Sequence, residues 1–154
     1  MNGTSLSAAE RVQALGLCPV FAAVPANHRA LLAEMMDTER LREGEVLFER
    51  GEPSDRIYVV VSGRLSVFVA ARAEPVRELG PGQLLGEYGM FSESARTATV
   101  RAATEAVLLS LGYPRFRAFL LQFPEATLVL LQIAIERLVA SEARGSGDAP
   151  ASVS

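Results

Sequence analysis

The sequence predicts an α+β fold in which a small antiparallel β-barrel or sandwich lies between helical segments. Turn-forming residues recur at short intervals between Leu41 and Leu111, which is typical of short antiparallel strands. Apolar residues at helical spacing occur before and after that region. With 154 residues and 49% hydrophobic content, the chain suits one compact domain. We expect this domain to span residues 7–143 and residues 144–154 to form a disordered tail.

Two helices are predicted before the strands. The first runs from Ser7 to Leu17, where Ser7 and Glu10 form a capping-box pattern. The second opens at Pro25 and ends near Thr38. Its inner face is predicted to consist of four apolar residues, Leu31, Leu32, Met35 and Met36. A helical layer should therefore precede the barrel.

Six β-rich runs follow, separated by turn signals such as Gly80-Pro81-Gly82. In the third run, Leu65, Val67 and Val69 alternate with polar residues, which predicts one buried face and one exposed face. The runs are Val46 to Glu49, Arg56 to Val61, Arg64 to Val69, Val76 to Leu79, Thr97 to Ala102 and Ala106 to Leu111.

The helical pattern returns at Tyr113. Four apolar residues on one side of this helix are predicted to be core, namely Phe116, Phe119, Leu120 and Phe123. Pro124 interrupts the pattern, and a long last helix is predicted from Leu128 to Ala143. Because that helix is apolar on more than one face, we expect something besides the barrel to cover part of it.

Composition excludes several classes of function. The net charge of −3 argues against direct nucleic-acid binding. A single cysteine and a single histidine, Cys18 and His28, leave too few ligands for a metal-dependent barrel enzyme. No serine or cysteine nucleophile has a histidine base in a suitable site, so we expect neither catalysis nor a metal. A secretion signal and a membrane span are not evident, and we expect a cytoplasmic protein.

The segment from Gly86 to Val100 is the most informative part of the sequence. Gly86 and Gly89 let the backbone approach a ligand closely, and Arg96 offers a planar fork suited to two phosphate oxygens. Glu87 would repel a phosphate unless the ligand also presents a hydroxyl group to the carboxylate. A phosphate combined with a sugar hydroxyl indicates a nucleotide.

This segment resembles the phosphate-binding cassette of cyclic nucleotide-binding domains, the family found in bacterial catabolite activators, cyclic-nucleotide-dependent kinases and cyclic-nucleotide-gated channels. Gly86-Glu87 matches the family's Gly-Glu, and Arg96-Thr97-Ala98 follows after the same interval as in the kinases. We call residues 86–98 the cassette. The resemblance extends over about residues 20–138. Its other matching positions are Gly44-Glu45, Phe48, Gly51, Asp55, Tyr58, Val60 and Gly63.

The resemblance implies an eight-stranded antiparallel β-roll, similar to a jelly-roll barrel, flanked by N-terminal helices and two C-terminal helices. It also implies that Arg96 pairs with the cyclic phosphate and that Glu87 accepts a hydrogen bond from the ribose 2′-hydroxyl. The backbone N–H groups of Gly89 and Thr97 would complete the phosphate cradle. The full set of expected ligand-binding residues is Leu84, Leu85, Gly86, Glu87, Tyr88, Gly89, Ala95, Arg96, Thr97 and Ala98.

Two positions depart from the family pattern, because Ala95 stands where many relatives have proline and Tyr88 replaces a smaller aliphatic residue. By resemblance, Thr97 permits guanine without excluding adenine. We therefore expect a stand-alone sensor of cyclic AMP or cyclic GMP that needs no other cofactor. It would signal through its last helix to a protein partner not yet identified, with a dimer left open. The alternative is a fold that has lost ligand binding and serves as a protein–protein interaction domain.

Overall fold

The structure is a computed structural model that describes residues 5–70 and 72–143, so the predicted tail lies outside the described residues. Within them, the predicted order of helices, antiparallel strands and helices is confirmed. The helices are α1 (Ala8–Leu17), α2 (Pro19–Ala22), α3 (Ala26–Glu34), α4 (Tyr88–Ser92), α5 (Tyr113–Gln122) and α6 (Pro124–Ala143). The strands are β1 (Asp37–Leu41), β2 (Val46–Phe48), β3 (Arg56–Ser62), β4 (Leu65–Phe68), β5 (Arg77–Leu79), β6 (Leu84–Leu85), β7 (Thr99–Ala102) and β8 (Ala106–Gly112).

The described strands form two four-stranded antiparallel sheets. The first has the order β1-β8-β3-β6, and the second has the order β2-β7-β4-β5. The longest pairing joins β3 to β8, with Tyr58 opposite Ser110. The closure of these strands into a jelly-roll-like barrel stays a prediction.

The first sheet is covered on both faces. Ile57 and Val59 of β3 face a core shared with the helices, whereas Tyr58 and Val60 face a core between the two sheets. All four residues are therefore buried. A strand covered on both sides needs an uninterrupted apolar run, which explains the composition of β3.

The first helix begins as predicted. The Glu10 N–H donates to Ser7 Oγ (3.1 Å), and the Ser7 N–H donates to Glu10 Oε1 (2.8 Å), so both halves of the capping box are present. Arg11, one residue later, donates to the carbonyl oxygens of Ala33 and Met36 and to the Thr38 hydroxyl. These bonds hold α1 against the corner between α3 and β1.

The prediction for the second helix is wrong in its end and in half of its inner face. Helix α3 ends at Glu34, and Thr38 belongs to β1. Leu31 and Met35 are 59% and 45% exposed, whereas Leu32 and Met36 are buried. The apolar pattern predicted a longer helix because it continues past Glu34, where the chain leaves the helix. It predicted too wide a buried face because Leu31 and Met35 lie on the outward side of the segment.

Two strands were not predicted from the sequence. Strand β1 is largely polar, and it is ordered by main-chain pairing with β8 from Asp37 opposite Ser110 to Leu41 opposite Ala106. Strand β6 has only two residues and pairs with β3. Strand β1 carries little periodic signal because main-chain pairing and not burial of a face holds it, whereas β6 has both residues buried but is too short to show a period.

The C-terminal helices follow β8 directly. Phe116, Phe119 and Leu120 are buried as predicted, whereas Phe123, the fourth predicted core residue, is half-buried against the same core. Helix α6 starts at Pro124 and not at Leu128, since proline suits the first turn of a helix. Among the described residues, no single helix has both the length and the apolar composition needed to cross a membrane; α5 and residues 124–140 meet that test only jointly, with a bend of 113° between them.

Candidate functional site

The cassette begins with a tight turn at the end of β6. Gly86 has φ +95°, a conformation that favours glycine, and a Cβ at this position would lie 2.7 Å from the Arg56 carbonyl oxygen and 3.1 Å from Arg96 Nη1. Glu87 follows as the N-cap residue of α4. The glycine therefore lets the chain pass between β3 and the Arg96 guanidinium, and the predicted close approach of its backbone to a ligand stays a prediction.

Arg96 is buried, with 3% of its surface exposed. Its backbone is fixed by hydrogen bonds to both sides of the Gly51–Glu52 turn, at 2.8 and 2.9 Å. Its Nη2 donates to the Arg56 carbonyl oxygen (3.2 Å), and its guanidinium carbon lies 4.1 Å from the centre of the Phe48 ring. Nε and Nη1 have no hydrogen-bond partner among the described protein atoms. A buried cation with unused donors is suited to bind an anion.

Glu87 is also buried, and its two carboxylate oxygens differ. Oε2 accepts a hydrogen bond from Arg137 Nη1 of α6 at 3.0 Å, whereas Oε1 has no partner within the described part of the chain. The side chains of Glu87 and Arg137 are 8% and 14% exposed. Burial raises the pKa of Glu87, and the positive charge of Arg137 lowers it again. One oxygen thus remains for a hydroxyl donor.

Arg137 was not singled out from the sequence. Besides binding Glu87, it donates from Nη2 to the Leu84 carbonyl oxygen (3.0 Å), so it joins α6 to both β6 and the cassette. It lies on the face of α6 that carries Ala126, Leu130 and Ile133, the residues that contact the core. The sequence did hold a signal, because a single basic residue stands in this long apolar helix.

The remaining predicted residues are distributed over both sides of the cassette. Leu84 faces the core shared with the helices, whereas Leu85 faces the core between the sheets, where Phe48 and Tyr58 lie beside Arg96. Ala98 and Gly89 are buried, and Thr97 is half-buried. Tyr88 and Ala95 are exposed. Gly86, Glu87 and Arg96 are thus brought together with Leu85, and Tyr88 and Ala95 lie at the surface.

A cavity of about 450 Å³ lies between α6 and the turn that joins β5 to β6. Arg77 and Leu84 line one side, and Ile133 and Arg137 of α6 line another. The cavity therefore adjoins the ion pair between Glu87 and Arg137. Any displacement of α6 would change its size.

Comparisons with known proteins agree with the cassette resemblance. The family model described as "Cyclic nucleotide-binding domain" matches residues 38–123. A cyclic nucleotide-gated potassium channel from Mesorhizobium japonicum is 40% identical over 122 residues, which cover 75% of this chain and 33% of the channel. A regulatory subunit of cAMP-dependent protein kinase from Emericella nidulans is 31% identical over 102 residues, which cover 66% of this chain and 25% of the subunit. The chain thus spans a third or less of these relatives.

A solved structure is similar to this chain in sequence and in fold. The N-terminal domain of a transcriptional regulator from Streptomyces coelicolor superposes with a TM-score of 0.64 at 34% sequence identity. The match covers 85% of this chain and 93% of that domain. That domain and this chain are therefore similar in both sequence and fold over most of their lengths.

Proposed function

Because the chain belongs to the cyclic nucleotide-binding domain family, we propose that it binds a cyclic mononucleotide, cyclic AMP or cyclic GMP, and acts as a regulatory sensor through movement of α6. Its role in this proposal is regulatory, not catalytic. The observation that supports it most strongly is the buried Arg96 guanidinium beside Gly86, two of whose nitrogen atoms have no partner among the residues that the structure describes. The cyclic phosphate would accept hydrogen bonds from them.

Glu87 supplies the second half of the recognition. Its Oε1, which has no partner in the described part of the chain, would accept a hydrogen bond from the ribose 2′-hydroxyl, while Oε2 stays bonded to Arg137. This division of the two oxygens lets one carboxylate contact the sugar and helix α6 together. Leu85, and Leu84 through the adjoining cavity, would contact the sugar or base, with the amides of Gly89 and Thr97 completing the phosphate cradle.

The link between Glu87 and Arg137 also supports the proposed output. Since Arg137 belongs to α6, a ligand that bonds to Glu87 Oε1 would fix the carboxylate that holds this helix and so strengthen the hold. A conformational change needs such a difference in contacts between the bound and unbound states. The moving helix would present a different surface to a protein partner.

An alternative function is protein binding without a ligand. It is favoured by the outward face of α6, which exposes Leu128, Leu131, Ile135, Leu138 and Val139. In that case the cassette would be a structural remnant. The two functions differ in whether a cyclic nucleotide binds at all.

Calorimetric titration with cyclic AMP, cyclic GMP and linear 5′-AMP distinguishes the ligand sensor from the protein-binding domain. We expect a cyclic nucleotide to bind and the linear one to bind poorly. Arg96→Ala should weaken binding roughly 30-fold to several-thousand-fold, because the phosphate charge loses its partner. The matched control is Arg64→Ala, which removes an exposed arginine paired with Glu78 at 3.4 Å and should leave affinity unchanged. Equal affinities of Arg96→Ala and the parent would refute the site.

A further inference from the structure

The start of α5 lies directly against the cassette through Tyr113. The Tyr113 N–H donates to the Asp55 carbonyl oxygen (2.9 Å), and the Tyr113 hydroxyl donates to the Gly86 carbonyl oxygen. The Ser54 hydroxyl lies within hydrogen-bond distance of the same tyrosine oxygen. Because the tyrosine proton is used on Gly86, Ser54 is the donor to Tyr113. The three groups form a chain that runs from Ser54 to the first residue of the cassette.

Helix α4 packs on the same pair of hydroxyls. A Cβ at Gly89 would overlap Ser54 Oγ and lie 2.8 Å from the Tyr113 oxygen, so glycine is needed for this contact. Burial raises the pKa of Tyr113, which keeps its hydroxyl protonated and able to donate. Tyr113 therefore contacts the cassette at both Gly86 and Gly89.

The hydrogen bond to Gly86 acts on the peptide that leads into Glu87. The Gly86 carbonyl and the Glu87 N–H belong to one planar peptide unit, so fixing the oxygen fixes the orientation of both. The opposite side of Gly86 adjoins Arg96 Nη1. The tyrosine hydroxyl thus holds the backbone between the two charged side chains of the site without lying among the predicted ligand contacts.

We propose that Tyr113 is a positioning residue that sets the orientation of Glu87 toward the ligand's sugar and connects the cassette to α5. This inference rests on the proposed function. Ser54 acts on Gly86 through Tyr113, because its hydroxyl bonds to the tyrosine oxygen, which in turn donates to the Gly86 carbonyl oxygen. Since α5 leads into α6 at Pro124, the same contact offers a second route from the site to the last helix.

The test compares a cyclic nucleotide with its 2′-deoxy analogue in calorimetric titrations. In Tyr113→Phe, we expect affinity for the cyclic nucleotide to fall about threefold to tenfold, as for one lost hydrogen bond, and affinity for the 2′-deoxy analogue to fall less. The ratio of the affinity for the cyclic nucleotide to the affinity for its 2′-deoxy analogue should therefore decrease. If Tyr113 only stabilises the fold, Tyr113→Phe would lower the melting temperature and leave this ratio unchanged.

Two further variants sharpen the result. Ser54→Ala should lower this affinity ratio by a smaller factor. Adding Ser54→Ala to Tyr113→Phe should lower the ratio no further than Tyr113→Phe does alone. Ser54→Ala also carries the test if Tyr113→Phe does not fold. The control is Thr104→Val, which removes a hydroxyl in the turn after β7 that donates to the Glu105 carbonyl oxygen (2.9 Å) and accepts from the Arg64 N–H (3.0 Å). It should leave both affinities unchanged.

The possible failures are distinguishable. A parent protein that binds no cyclic nucleotide overturns the proposed function, and the role of Tyr113 with it. If the parent binds but the ratio stays constant in Tyr113→Phe and Ser54→Ala, only the positioning role is overturned. Additive losses in the double variant would likewise contradict the action of Ser54 through Tyr113.

Discussion

Glu87 and Arg96 are buried side chains that each keep polar atoms without a partner among the described residues. Removing a charge from water costs several kcal/mol unless other groups replace the lost hydration. The Phe48 ring replaces part of it for Arg96, and Arg137 replaces part of it for Glu87. A folded protein keeps such incomplete compensation where a ligand supplies the rest. The two residues should therefore dominate affinity, and Glu87, whose pKa burial raises, should make stability depend on pH.

Arg137→Ala should make stability depend more strongly on pH. Burial raises the pKa of Glu87 above its ordinary value of 4.5, so the folded protein binds a proton more readily than the unfolded chain. The free energy of unfolding then falls as pH rises from 4.5 toward the raised pKa. Without Arg137 the pKa rises further, and the fall extends to higher pH. We expect the variant to lose about 3 kcal/mol near neutral pH and clearly less at about pH 5.

Urea denaturation of parent and variant at about pH 5 and about pH 7.5 measures this difference. Arg64→Ala is again the control, because its exposed ion pair with Glu78 should contribute little at either pH. An equal loss for Arg137→Ala at both pH values would show that Arg137 does not stabilise the ionised Glu87.

Helices and strands could be predicted where the signal lies in their own residues or in those next to them. The start of α1 followed from Ser7 and Glu10, and both C-terminal helices followed from apolar periodicity and Pro124. Strand β1 could not be predicted, because a polar segment becomes a strand only by pairing with β8, some seventy residues later.

The candidate site was likewise predictable only where its residues are close in the sequence. Spacing within the cassette indicated Glu87 and Arg96, but the contacts of Arg137 and Tyr113 join residues far apart in the chain.

Helix α6 is the element expected to respond to the ligand. It is held to the site by the hydrogen bonds of Arg137, while its outward face stays exposed. Ligand binding should strengthen that attachment and slow amide exchange from Leu128 to Ala140. Hydrogen exchange with and without a saturating cyclic nucleotide tests this. Unchanged exchange in α6, with binding established by calorimetry, would contradict its role as the moving element.

The whole molecule is organised around the sheet of β1, β8, β3 and β6. One face of this sheet carries the helices, and the other face packs against the second sheet. Strand β6 at its edge continues directly into the cassette, and its Leu84 carbonyl oxygen accepts from α6. Both cores therefore meet at the candidate site. A ligand bound there would contact the inter-sheet core and influence the helical layer together.

The outward face of α6 carries exposed apolar residues and so offers a surface for association. Its exposed residues Leu128, Leu131, Ile135 and Leu138 are spaced by three, four and three positions, which is the spacing of a two-helix coiled coil. We expect the protein to form a dimer through this face, and light scattering should report twice the chain mass. Replacing Leu131 and Ile135 with Glu should give monomers, because charges would meet across the interface. Leu121→Glu, at an exposed position of α5, is the control that should stay dimeric. A parent of single-chain mass at high concentration would contradict the dimer.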